Sequence, residues 1–412
     1  MFKHLIKIAA CMGLAAAQAK AQPLTIDSCY AMALRNYPQI RQYALIDKTR
    51  DYTLNNAAKA YLPQVSLTAI EGYVFGGFPE SGGSNFKFIG LAQVNQTVWD
   101  GGATKTQKKI IEASAEADKA SVDVSLHDIR SRVNQLYFGV LMVDEQLKQL
   151  AIQDSILNNN IRAVQLKSDN GLAYKTDVDE VRAEQLRLHQ QRTEFSYTRS
   201  GYIKVLSLLI ARPLNNEAIL DKPLPAGQYA GMDIVRPELN LFKQQRNLAT
   251  AQAGMQKVNL YPKLGVLGAG VLFAPGINLG PTALSSLGVL GVSASWNING
   301  LYKNNNDKQL TTQQLNKIDV QEATFLFNTR LQLSQSAATI DKQRAILTDD
   351  ESIVALRRSI REGYQVKYDN GVSPVIDLLN AGQRELDARA LKALHEMQLL
   401  MTIYDYKTIS GN

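Results

Sequence analysis

The sequence predicts an α plus membrane-β fold that is internally duplicated, each repeat holding two long strands and long coiled-coil helices. Three observations predict it. Apolar residues recur in a 4-3 spacing along one uninterrupted stretch. Four segments have the length and character of barrel strands. The order of motifs returns at an offset near 200 residues.

The N-terminus comes first. Lys3 and Lys7 form a basic region, Ile8 to Ala17 an apolar one, and Ala19-Lys20-Ala21 a small-residue cleavage site. Residues 1–21 thus read as a secretory signal peptide, with the exported chain starting at Gln22. Ile8-Ala9-Ala10-Cys11 also has the shape of a lipoprotein box. Lipidation at Cys11 ranks second, because it leaves too short an apolar core. Beyond residue 21 a single cysteine remains, Cys29, so no intrachain disulfide scaffold is expected. The formal charge of +7 includes Lys3, Lys7 and Lys20, leaving +4 dispersed over the exported chain. That is too weak to argue for nucleic acid. No later run of about 18 uncharged apolar residues calls for a spanning helix. An exported chain of this kind is either soluble outside the inner membrane or embedded as a β-barrel.

The first repeat is read as residues 22–211. A helix opens at Pro38, whose missing N–H suits a first turn, and stops before Pro63. Strands follow at about 62–75 and 86–99, each long enough for a barrel crossing of about 10 residues. Phe86, Phe88, Gly90, Ala92, Val94 and Val98 share one parity with Gln96, and Lys87, Gln93, Asn95 and Thr97 lie on the other together with Ile89 and Leu91. Aromatics sit near the ends (Tyr61, Tyr73, Trp99), as an interfacial girdle requires.

A long helix is expected over 104–169. Its seam runs Val122, Leu126, Ile129, Val133, Leu136, Val140, Val143, Leu147, Leu150, Asp154, Leu157, Ile161 and Val164. Only Asp154 is not aliphatic. Such a seam calls for a partner helix, and a helix of that length is on the order of 100 Å long. An Asp-Asn-Gly turn ends it at Gly171, and a return helix follows over 174–211. Residues 212–235, rich in Pro and Gly, read as a linker, or equatorial segment, with one helical turn.

The second repeat, 236–412, answers to the first. Pro237-Glu238-Leu239 matches Pro38-Gln39-Ile40, and Leu260-Tyr261-Pro262 matches Tyr61-Leu62-Pro63. Trp296 to Gly300 answers to Trp99-Asp100-Gly101-Gly102, and Lys367 to Gly371 answers to Lys167 to Gly171. So ordered a series indicates duplication. Strands are expected at 263–273 and 284–296, both Gly-rich and almost uncharged. The second long helix, 302–369, shows only one clean heptad column: Leu326, Leu333, Ile340, Leu347 and Val354. Its return helix is expected over 374–409. Four strands cannot close a barrel around a pore, so the reading needs further copies of the chain.

These features together resemble the TolC-like outer membrane efflux family over essentially the whole exported chain. The resemblance rests on Leu24-Thr25-Ile26-Asp27 with Ala31, Ala33 and Leu34, on Pro38-x-Ile40, and on Tyr61-Leu62-Pro63. It rests also on Trp99-Asp100-Gly101-Gly102 and on the paired turns at Gly171 and Gly371 with Asp177 and Asp377. It implies a homotrimer in the outer membrane of a Gram-negative bacterium, with most of its mass in the periplasm. Each copy would give four strands to a 12-stranded barrel in outer membrane lipid and its helices to a 12-helix periplasmic tunnel. A periplasmic adaptor (membrane fusion) protein and an inner membrane transporter would dock to it. The implied function is a passive exit duct in tripartite efflux or type I secretion, with no enzymatic activity and no cofactor.

The resemblance also implies that the tunnel entrance lies at the two helix turns, Gly171 and Gly371. Asp177 matches the family's pairing Asp and Tyr364 its constricting Tyr. The position of the partnering Arg is Ser373 here, and the acidic-ring positions are Asp377 and Asn380. The family's Asp–Arg lock is therefore missing and one ring is neutral. Another reading of Asp377 is a solvated acid that complements the helix dipole.

Other candidates reduce to structural readings. His127, His189 and His395 share no short motif with Cys or one another, so no metal site is expected. Gly101 to Thr106 lacks the spacing of a phosphate loop and reads as a strand-to-helix turn. Lys105, Lys108 and Lys109 read as a solvated helix face near the barrel rim. No nucleophile–base arrangement appears. The competing function is a non-conducting periplasmic coiled-coil adaptor or scaffold, and an adaptor has no use for four uncharged, membrane-length strands.

Overall fold

The computed structural model describes residues 24–73, 75, 86–224, 232–274 and 285–412. The expected signal peptide, with Cys11, lies outside them. The chain is mostly helical with one small antiparallel sheet. The elements run α1 (Ile26–Asn36), α2 (Gln42–Ala58), β1 (Gln64–Tyr73), β2 (Phe86–Trp99), α3 (Ala103–Asp169) and α4 (Lys175–Ile210). Then come α5 (Pro237–Val258), β3 (Lys263–Ala274), β4 (Ser285–Ser295), α6 (Asn299–Asp369) and α7 (Val375–Ser410). The long helices α3 and α6 have 67 and 71 residues. Among the described residues no helix is long and apolar enough to cross a membrane.

Sequence reasoning assigned no helix to Ile26–Asn36. Thr25 caps it, its hydroxyl accepting from the Ser28 N–H at 3.3 Å, and Ile26, Cys29 and Ala33 are buried. Its apolar residues run unbroken from Cys29 to Leu34, so the three that are buried do not stand out as a one-sided period. Pro38 opens a 3-10 turn, Pro38–Arg41, ahead of α2. Strand β1 starts at Gln64 rather than at 62, because Pro63 has no N–H to give to a ladder. In the linker, the described residues form no helix but a single hydrogen-bonded turn, Ala218 N–H to the Asn215 carbonyl at 3.1 Å. They form a parallel bridge, Leu24 to Leu220, flanked by hydrogen bonds from Leu24 N–H to Ile219 and from Asp221 N–H to Leu24.

The chain forms two compact units, and each draws on both repeats. One holds residues 41–122 and 238–324, the other the segments through 40, 123–237 and 325–412.

The first of these units carries the sheet, in the order β1-β2-β3-β4, every pair antiparallel. Both repeats thus join one sheet, β2 pairing with β3 from Phe88↔Ala274 to Trp99↔Leu264. Val65, Leu67, Ile70, Leu287, Leu290 and Val292 are all more than half exposed. Successive residues such as Val289 and Leu290 point to opposite faces, so both faces of β4 are apolar and uncovered.

The Trp-Asp-Gly-Gly motif makes the strand-to-helix junction. Asp100 is 6% exposed and its carboxylate accepts from Tyr61 Oη at 2.8 Å, Gly102 N–H at 2.8 Å and Thr104 N–H at 2.6 Å. Burial pushes this carboxyl up, but the donors from Thr104, Tyr61 and Gly102 outweigh it and hold the pKa at about 2. Gly101 has φ +67°, and a Cβ there would meet Tyr261 Cβ at 2.8 Å, so glycine is required twice over.

The second unit buries the seam of α3. Val133, Val140 and Leu157 are fully buried, Val164 is 1% exposed, and no seam residue is exposed. A polar network lies among them. Tyr137 Oη donates to the carbonyls of Leu24 and Asp221, both at 2.6 Å. Asn134 Nδ2 donates to Asp405 at 2.8 Å, and His127 Nε2 meets the Thr408 carbonyl at 2.8 Å. Beside it Cys29 is fully buried. Burial pushes its thiol up to about 12 against the pull of Arg212, which makes it an inert core residue.

Candidate functional site: the two hairpin turns

The two turns that join α3 to α4 and α6 to α7 have the same hydrogen bonds. Gly171 N–H reaches the Ser168 carbonyl at 3.0 Å and Leu172 N–H the Lys167 carbonyl at 2.7 Å. Gly371 N–H reaches Tyr368 at 3.0 Å and Val372 N–H reaches Lys367 at 2.8 Å. This pair of bonds closes a helix with a left-handed residue, and Gly171 and Gly371 have φ of +72° and +74°. Asn170 and Asn370 each turn the side-chain amide back onto a carbonyl four residues earlier, at 2.7 and 2.8 Å. The Asn and the Gly of the repeated signature thus each have a mechanical cause.

The starts of the return helices differ. The Asp177 carboxylate accepts from the backbone N–H of Tyr174 at 2.9 Å, satisfying a donor at the helix start. At the matching position of α7 stands Pro374, which has no N–H. The Asp377 carboxylate instead accepts from the Ser373 hydroxyl at 2.7 Å. Ser373, at the family's Arg position, is thus a local partner of Asp377. Both carboxylates are half-buried and bonded within their own turns, while Asn380 is exposed.

A hydrophobic cluster joins the bases of both turns. Leu157 and Val164 come from α3, Val178 from α4, Tyr368 from α6, and Val375 and Leu378 from α7. Tyr364 packs against this cluster with its ring partly exposed, and Lys367 Nζ stands 5.1 Å from that ring. Of the expected entrance residues, Tyr364 packs on this core, and Asp177 and Asp377 each directly precede one of its members, Val178 and Leu378.

Sequence reasoning missed the polar ties between the hairpins. Lys167 Nζ lies 3.6 Å over the Tyr368 ring and donates to the Tyr368 carbonyl at 3.3 Å, linking α3 to α6. Arg187 of α4 donates to Gln383 of α7 at 2.7 Å. Within the second hairpin Glu385, 5% exposed, accepts from Arg361 of α6 at 2.5 Å and from Arg389 at 2.9 Å. Burial raises its carboxyl, and the two guanidinium groups more than offset that, so its pKa is lowered. The spacing of Glu385 and Arg389, four apart on a helix, was the available signal. Contacts between segments 200 residues apart leave none.

Among the described residues no three His, Cys, Asp or Glu side chains gather into a group that could hold a metal. His127 and His395 are both hydrogen-bonded within the fold, His395 Nδ1 to Asp350 at 2.7 Å.

No family model matches the chain, and no curated protein matches it by sequence. Solved structures do. The outer membrane protein VceC from Vibrio cholerae is 14% identical, with a TM-score of 0.67, over 94% of this chain and 96% of that one. The CmeC outer membrane channel of Campylobacter jejuni is 15% identical, with a TM-score of 0.65, over 94% of this chain and 85% of that one. The MtrE outer membrane channel of Neisseria gonorrhoeae, solved in an open state, is 14% identical, with a TM-score of 0.65, over 93% and 88%. The chain therefore has the TolC-like fold of these outer membrane channels, along nearly its full length.

Proposed function

We propose that this chain is the outer membrane duct of an efflux or secretion assembly, exported by the signal in residues 1–21. The observation that carries the reading is the open sheet. Strands β1 and β4 are edges, and their unpaired backbone groups and apolar faces are a liability in water. In a membrane every such group must be paired, which a closed barrel achieves. Three copies would supply twelve strands, and their helices a periplasmic tunnel. The turns at Gly171 and Gly371 would be its entrance, where a periplasmic adaptor and inner membrane transporter engage. Such a duct moves its cargo passively and needs no catalytic group.

At that entrance Asp377 would stand as a ring of three carboxylates around the threefold axis. Their mutual repulsion would favour bound cations. Single-channel recording tests this: Asp377→Asn is expected to lower cation preference and relieve block by divalent ions. Unchanged selectivity would overturn the ring.

The second reading is a non-conducting periplasmic scaffold, favoured by the length of α3 and α6 alone. Cell fractionation and electrophoresis without heating separate the two. The duct should enter the outer membrane and migrate as a trimer that conducts ions when reconstituted. A soluble periplasmic monomer would overturn the duct.

A further inference from the structure

The charge of the exported chain is concentrated at one place. Where the strands meet the helices, segments 59–63, 100–110, 257–263 and 296–310 hold eight lysines against two aspartates, Asp100 and Asp307. Asp100 is buried and saturated with donors. Since residues 22–412 carry +4 altogether, the remainder of the exported chain is net negative.

These segments lie side by side. The registers Gln64↔Asn95 and Lys263↔Ser295 put all four strand ends at one end of the sheet. There Tyr61 bonds Asp100, Trp296 Nε1 donates to the Leu260 carbonyl at 3.0 Å, and Thr311 Oγ1 bonds Gln256 at 3.3 Å. Gly254 of α5 lies against Thr106 of α3. Lys59, Lys105, Lys109, Lys257, Lys303 and Lys308 are exposed, and among the described residues no ion pair involves them.

Two further features need explaining. Lysines at a helix N-terminus oppose the helix dipole. Yet Lys105 and Lys303 stand in or next to the first turns of α3 and α6, which carry no acid. The return helices α4 and α7, by contrast, start with Asp177 and Asp377. Exposed aromatics (Trp99, Tyr261, Trp296 and Tyr302) also ring the same strand ends. In a membrane barrel such a girdle marks the headgroup level. The connections at the other strand ends, 74–85 and 274–284, contain no Lys or Arg.

We infer that the lysines at the strand–helix junctions form a collar that binds the anionic headgroups of the phospholipid leaflet on the helical side of the sheet. The inference rests on the reading of the strands as membrane-spanning. A surface of anionic lipid attracts each nearby lysine, the attraction falls off within a Debye length, and salt screens it. The collar would thus set both the depth and the orientation of the sheet. Its lysines then stand at helix starts because that is where the bilayer surface lies.

The test uses the full exported chain folding into vesicles of phosphatidylcholine, with or without phosphatidylglycerol. Insertion is followed by protease protection and by shift on unheated electrophoresis. The wild type is expected to insert at least about tenfold faster when phosphatidylglycerol is present, an advantage that high salt removes. The variant K105Q/K109Q/K303Q/K308Q should insert at the slow rate into both. Lys→Arg at the same four positions should restore the preference, and K175Q/K204Q, away from the sheet, should leave it intact. Equal rates for wild type and the Gln variant in both vesicles would overturn the collar while leaving the membrane reading standing. Failure to insert into either vesicle would overturn the membrane reading, and the collar with it.

Discussion

The long helices of the two repeats follow one register with different chemistry. Subtracting 200 aligns them. One heptad column is apolar in both as far as Leu147, where Val133, Val140 and Leu147 answer to Leu333, Ile340 and Leu347, before Asp154 in α3 and Arg361 in α6 interrupt it. The other is apolar only in α3. Ile129, Leu136, Val143, Leu150, Leu157 and Val164 answer to Thr329, Ser336, Gln343, Asp350, Arg357 and Tyr364. The polar column is nevertheless turned inward, with Thr329, Gln343 and Asp350 all below 9% exposed. Its partners are on α7: Gln343 bonds Gln398 at 3.1 Å, Asp350 bonds His395 at 2.7 Å, and Arg361 of the other column bonds Glu385. Helical register thus places a residue in the interface, and hydrogen bonds substitute there for apolar burial. Such an interface gains less from the hydrophobic effect and more from direction-dependent contacts.

The sharpest way to break this comparison is to truncate one register position in both helices. Leu157→Ala removes a fully buried side chain from the cluster beneath the turns and should cost about 3 kcal/mol. Arg357→Ala, at the matching position, is half-buried and should cost under about 1 kcal/mol. Thermal and denaturant unfolding of the purified protein checks both. Equal losses would show that the two seams contribute alike, whatever their chemistry.

The strand-to-helix junctions offer a second comparison. Asp100 collects three donors, whereas its counterpart in the second repeat, Asn297, accepts one N–H, from Asn299 at 3.2 Å. The folded Asp100 carboxyl titrates at about 2 against an ordinary 3.8. Its folded pKa is depressed, so its stabilisation is fully present above about pH 4 and is lost as the pH falls through about 2. The amount is about 2 kcal/mol. Asp100→Asn should abolish that acid-dependent part, and Asn297→Asp should not create an equal one, because the second junction lacks the donors. Unfolding midpoints between pH 5 and pH 2 read the difference. An acid profile unaltered by Asp100→Asn would sever the carboxylate from junction stability.

What was legible in the sequence follows the same line. The seam of α3 was readable because aliphatic residues mark a buried period whatever they pack against. The turns were readable because a left-handed backbone restricts the residue to Gly or Asn. The second column of α6 was not readable, since Gln343 and Asp350 look solvated until α7 supplies Gln398 and His395. At the candidate site, Asp177 and Asp377 were placed by their turns. Their bonding was not, because it depends on whether the residue three earlier has an N–H, as Tyr174 does and Pro374 does not. The tie from Lys167 to Tyr368 spans two repeats and has no local signature at all.

The smallest effect is the most specific. Gln343 is 8% exposed, and its amide nitrogen reaches Gln398, but its Oε1 is buried with no bonding partner among the described residues. A buried acceptor left unpaired costs about 1 to 3 kcal/mol, roughly what its one good bond and its packing return. The matching residue in α3, Val143, shows that the register accepts an aliphatic side chain there. Gln343→Leu should therefore be neutral or raise stability by up to about 1 kcal/mol, and Gln343→Leu with Gln398→Leu should raise it further, since no amide is then orphaned. Asp350→Leu alone should do the reverse, because it leaves His395 without its acceptor. If Gln343→Leu destabilised as much as Asp350→Leu, the polar column would be a network held together as a whole, and the position-by-position equivalence of the two helices would fail.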